Sequence, residues 1–102
     1  MNRLHFIVIG KNDSIVRTLV RVISAKEDWT AFGCRETSEL YQHLQEVPTA
    51  IILLSSGLDA ATENEIMIEA VRITPTVKVI VHYGGGSGLL YNEVQMALSE
   101  KL

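Results

Sequence analysis

Hydrophobic positions along the chain follow two alternating periods. Leu4 to Ile9 is a compact apolar run that ends at Gly10. From Ser14 to Asp28 the spacing turns helical, with Ile15, Val16, Leu19, Val20 and Ile23 on one face and Arg17, Arg21 and Ser24 on the other. A short side-chain oxygen on Asn12 or Asp13 can accept from the free first-turn amides and cap this helix. Its β-branched residues lower its intrinsic propensity, so the docked apolar face must hold it.

The same unit recurs. Trp29 to Cys34 reads as a second strand, Thr37 or Ser38 as the cap of a helix carrying Leu40, Tyr41 and Leu44, and Pro48 as its close. Ala50 to Leu54 is the most hydrophobic stretch, and Ser55-Ser56-Gly57 ends it. Thr62 to Glu65 reads as a capping box that opens a helix through about Ile73. Val77 to His82 is a fourth strand and Gly84 to Gly88 a turn. Leu89 to Leu102 is a last helix, with Leu90, Val94, Ala97 and Leu98 at helical spacing. Near-continuous apolar runs suit strands buried on both faces of a parallel sheet. The fold class is therefore α/β, a three-layer open parallel sheet of four βα units with helices on both sides. Its length excludes a closed eight-unit barrel.

Composition narrows the function classes. The 102 residues read as one domain spanning 1–102, with 47% apolar and 21% charged residues, an ordinary globular balance. A net charge of −3 with nine scattered Lys and Arg leaves no basic face for a nucleic acid. The single cysteine, Cys34, offers neither an internal disulfide nor metal-ligand spacing and reads as a small core residue. His5 and His43 share no metal-ligand spacing with His82, so neither metal nor cofactor is expected. No segment approaches the roughly 18 apolar residues of a membrane span. The first apolar run is broken at Lys11, too soon for a signal peptide, so a soluble cytoplasmic protein is expected.

With the units laid out, Phe6 to Arg17, Pro48 to Gly57 and Val77 to Tyr83 resemble the first, third and fourth strand regions of the receiver domains of bacterial response regulators, the chemotaxis regulators among them. The resemblance implies a flavodoxin-like sheet with strand order 2-1-3-4. In that family two acids after the first strand hold Mg²⁺, an aspartate ending the third strand accepts phosphate, and a Ser or Thr ends the fourth. The acid pair falls here on Lys11 and Asn12, or on Asn12 and Asp13 if the register slips by one. The acceptor position falls on Ser55 and the hydroxyl position on His82. Mg²⁺ requires several hard oxygen ligands, and Lys11 would put a positive charge where the cation should sit. A serine hydroxyl is also a far weaker nucleophile than an aspartate unless a base activates it. The resemblance thus implies an atypical receiver, not phosphorylated on aspartate and not an enzyme. The family's fifth strand and helix have no counterpart after the last helix. The fourth strand then becomes an edge that either belongs to a shortened chain or pairs with another one.

Gly84-Gly85-Gly86-Ser87-Gly88 lies between a strand and a helix, where free amides can bind an anion together with Lys11 and Ser55. Leu89 stands at the third glycine position of the dinucleotide fingerprint, and the Lys-Ser/Thr of a P-loop is absent. The alternatives are a plain surface turn or an inserted Gly-Ser linker. Three functional readings follow. The leading one is a regulatory module acting on a protein partner or as a homodimer. Its interface would be the fourth-strand edge (Val77, Val79, Val81) and the last helix with Tyr91. The second is a sensor of a small anion or nucleotide at the glycine loop. The third is a phosphocarrier with His82 or Ser55 as acceptor, which lacks a nameable activating partner.

Overall fold

A computed structural model describes residues 4–48, 50–55 and 57–81. His82, the glycine loop, Tyr91 and the helix expected over 89–102 lie outside the described residues. Chain order runs β1 (Leu4–Ile9), α1 (Asp13–Ser24), β2 (Trp29–Cys34), α2 (Thr37–Glu46), β3 (Ile51–Leu54), α3 (Ala60–Ile73) and β4 (Lys78–Val81). The strands form one parallel sheet in the order β2-β1-β3-β4. This is the open α/β sheet that the alternating periods predict, and it is consistent with a flavodoxin-like fold.

Period-two alternation divides the core between the sheet faces. Phe6, Val8, Ile51, Leu53 and Ile80 pack on one face with Val16, Leu19 and Ile23 of α1. Ile7, Ile9, Ile52 and Leu54 pack on the other with Leu40 and Leu44 of α2 and Ile66 and Ala70 of α3. From Phe6 to Ile9 in β1 and throughout β3 the central strands are apolar, because helices cover them from both sides. Trp29 supplies the largest edge contribution, packing its ring against Phe6 at 5.1 Å between centroids.

The helix ends differ from the pattern in instructive ways. Asn12 caps α1, its side-chain oxygen accepting from the Ile15 amide at 3.1 Å. The helix stops at Ser24 rather than reaching Asp28, which takes a left-handed φ of 71°. The turn places the Asp28 carbonyl to accept from the Leu4 amide at 3.0 Å, which ties it to the start of β1. Thr37 and Ser38 are not the cap of α2. Glu36 holds that position, and the Glu39 carboxylate folds back to accept from the Glu36 amide at 3.3 Å. The box expected from Thr62 to Glu65 also moves. Asp59 caps α3 by accepting from the Thr62 amide at 2.7 Å, so Thr62 lies inside the first turn. These hydrogen bonds hold the Asp59 carboxyl below its ordinary range. In each case several short polar residues competed locally, and the entering loop chose among them.

Candidate functional site

The carboxyl ends of the strands are where an open parallel sheet normally offers a binding crevice. Lys11, Asn12 and Asp13 follow β1 there and are exposed, while Ser55 follows β3 and is 1% exposed. Each group except Lys11 already has a structural partner. Asn12 caps α1, and the Asp13 carboxylate pairs with Arg17 one turn on, at 3.2 Å. Both the amide and the hydroxyl of Ser55 donate to the Ile9 carbonyl, at 3.0 and 3.1 Å.

Ser55 sits inward because residue 10 is a glycine. A β-carbon built on Gly10 would lie 1.8 Å from the Ser55 Oγ. The hydroxyl therefore fills the space that a side chain at position 10 would need. Buried and donating to the Ile9 carbonyl, this hydroxyl links β1 and β3, and among the described residues no base is hydrogen-bonded to it.

Gly57 turns the chain away from β3 with a φ of 98°, a conformation glycine adopts without strain. Its Cα passes close to Lys11: a β-carbon there would lie 3.5 Å from the Lys11 Cβ. The Lys11 charge also helps to lower the Asp59 carboxyl, after the stronger effect of the Thr62 hydrogen bonds. Among the described residues, no three His, Cys, Asp or Glu side chains converge to hold a metal ion. No helix among them is long and apolar enough to cross a membrane.

The edge-strand residues behave differently from a free interface. Val77, Val79 and Val81 are partly buried against the α2/α3 side of the core, and Ile80 points to the opposite face. Side chains of a strand project from the sheet faces, while its edge is formed by backbone groups. A charge placed on Val79 or Val81 would thus disturb packing before it disturbed any pairing at the edge.

Two groupings escaped the sequence pattern. The first joins β1, β2 and α2. His5 and His43, far apart in sequence, meet Nε2 to Nε2 at 2.7 Å, while His5 Nδ1 bonds the Thr30 hydroxyl at 2.6 Å. The ring centroids are 4.9 Å apart. That is close to the nitrogen gap plus the two ring radii, so the nitrogens point at each other as hydrogen-bonding partners do. Phe32 stacks on the far side of His43 at 4.2 Å. Burial, and secondarily the neighbouring His43, push the His5 imidazole below its ordinary value of 6.5. The signal was available in the alternation, which puts His5 on the same sheet face as Ile7 and Ile9, under α2.

The second grouping is an exposed uncharged line on α3. Ala61, Asn64, Ile68 and Val71 recur at spacings of 3, 4 and 3 along its outer side, and all are exposed. Ile68 is 63% exposed, Val71 49% and the adjacent Met67 38%. No charge interrupts the line, whereas Ile66 and Ala70 face the core.

Cys34 is buried at the end of β2, and desolvation, with a smaller contribution from Glu39, raises its thiol to about 12. The expectation of a buried core cysteine is met. Compared with known proteins, the chain matches no family model and no curated protein.

Proposed function

We propose that this chain is a non-enzymatic regulatory module of receiver-like architecture that works by docking a protein. The observation that carries the reading is the uncharged line on α3, where Ile68 and Val71 present large apolar side chains to water. Spacings of 3 and 4 form the seam by which one helix packs along another. The carboxyl edge supports the same reading from the other side. Among its described residues Asn12 caps α1, Asp13 pairs with Arg17 and Ser55 bridges β1 and β3, which are structural roles rather than a carboxylate cluster for phosphoryl chemistry. The resemblance to receivers adds a type of module whose atypical members signal by protein contacts or other ligands.

A photo-crosslinking residue at position 68 tests this in cells that make the protein. A discrete adduct is expected, with a second copy or with one partner, and Val71→Asp in the same chain should abolish it. The same residue at Gln45, exposed on α2, should give none. Absence of a discrete adduct at position 68, or one that survives Val71→Asp, would sink the reading.

A further inference from the structure

The opposite flank of the sheet carries a second surface. Among the described residues β2 pairs only with β1, which leaves the outer edge of residues 30–34 without a strand partner there. Strand alternation sends Trp29, Ala31 and Gly33 toward α1, and Thr30, Phe32 and Cys34 toward α2. A groove lies beside the edge on each face. On the α1 side a groove of about 580 Å³ has Val16, Val20 and Gly33 as its apolar floor. Its walls set Arg17, Arg21 and Arg35 against Asp13 and Glu39, and Glu39 is shared with the other groove. On the α2 side a groove of about 260 Å³ is lined by Phe32, Gln42, His43, Glu39 and Glu46.

The two grooves differ in sign. Asp13 in the first is paired with Arg17, whereas the guanidiniums of Arg21 and Arg35 have no ion-pair or hydrogen-bond partner among the described residues. The second carries two carboxylates, and its one hydrogen-bonded histidine is held by His5. Gly33 is exposed, and a side chain there would press on Val16 and Val20 at 2.9 and 3.1 Å. Glycine keeps the first groove open next to the strand.

We propose that the β2 edge docks an extended peptide segment whose side chains alternate between acidic and basic. A strand added to β2 would make main-chain hydrogen bonds along the edge and send successive side chains to opposite faces. Acidic ones enter the groove of Arg21 and Arg35, and basic ones meet Glu39 and Glu46. The first groove runs from Asp13 to Ser24, the full length of α1. At about 1.5 Å per helical residue and about 3.3 Å per strand residue, it accepts roughly five residues of extended chain. A second copy is the wrong occupant. Closed two-fold pairing of two β2 edges is antiparallel and keeps like faces together, which sets arginine groove against arginine groove. This surface is separate from the α3 line and stands without it.

The test is an amide-resolved NMR titration with a capped peptide of four Glu-Lys repeats, and with all-Glu and all-Lys peptides of the same length. The alternating peptide should give saturable shifts centred on residues 30–35. Each single-sign peptide should bind at least tenfold more weakly. Arg21→Gln with Arg35→Gln, both exposed positions, should weaken the alternating peptide at least tenfold, while Val71→Asp leaves it unchanged. No shift at millimolar peptide would overturn the proposal. So would shifts centred on α3 or β4, equal or tighter binding of the all-Glu peptide, or loss of binding in the Val71→Asp chain.

Discussion

The carboxyl edge of the central strands and the flank built on β2 use similar residues to opposite ends. At the carboxyl edge Asn12, Asp13 and Ser55 each bond to a neighbour that the fold itself supplies. Along β2, the guanidiniums of Arg21 and Arg35 and the carboxylate of Glu46 line open grooves. Position in the fold is therefore a poor guide to use. In the crevice that parallel sheets usually give to ligands, Asn12, Asp13 and Ser55 are taken up by structural bonds, whereas the edge strand has unpaired charges beside it.

The largest effect that would sharpen this comparison is expected at Gly10. Its replacement by alanine forces a β-carbon into the Ser55 hydroxyl and should cost about 3 kcal/mol by chemical denaturation. Adding Ser55→Ala removes the nearest atom and leaves the Ser55 Cβ at 3.2 Å, so the double variant should recover much of the loss. If the two substitutions simply added, Ser55 would not be the group that closes the carboxyl edge.

The next effect is visible as a pH slope. Because the folded protein lowers the His5 imidazole, the unfolded chain takes up that proton first as pH falls below about 6.5. The favourable neutral state is fully present above that pH. Stability should then fall with pH until the folded imidazole also titrates. Burial of the imidazole sets the direction, and the neighbouring His43 adds to it. In His5→Phe the part of the slope due to His5 should vanish in urea melts at pH 7.5 and 5.5. An unchanged slope would remove the pair from consideration as a pH-sensitive contact between β1 and α2.

Two smaller effects separate capping from surface pairing at the carboxyl edge. Asn12→Ala removes the acceptor of the Ile15 amide and should cost about 1 kcal/mol, with Asn12→Ser largely neutral. Arg17→Met breaks an exposed pair, with the side chains 81% and 51% accessible, and should change stability by no more than about 0.5 kcal/mol. A larger loss for Arg17 than for Asn12 would reverse this ranking of the two residues.

Periodicity and run length were enough to place the strands, their parallel arrangement and most buried helix positions, but Ile15, which the spacing puts on the apolar face of α1, is exposed in its first turn. Leu4–Ile9 and Trp29–Cys34 have the bounds that their patterns predict. Helix starts were less legible, because Glu36 and Asp59 act as caps through loops whose path no local pattern specifies. The polar state of the carboxyl edge was legible only as missing acids. That Ser55 turns inward depends on the absent side chain at Gly10, a contact across 44 intervening positions that strand pairing alone creates. The His5–His43 bond and the two grooves likewise need α2 and α1 laid against β1 and β2, so they belong to packing rather than to any motif.

Burial of Cys34 has a practical consequence for chemistry on this chain. A thiol raised to about 12 and shielded at the end of β2 is almost wholly protonated at neutral pH and shielded from maleimides and haloacetamides. As the sole cysteine, it leaves the folded protein effectively blank to those reagents. A cysteine introduced at position 68 or position 30 would then carry a dye or spin label alone, letting the two faces of the module be watched independently without first altering the core.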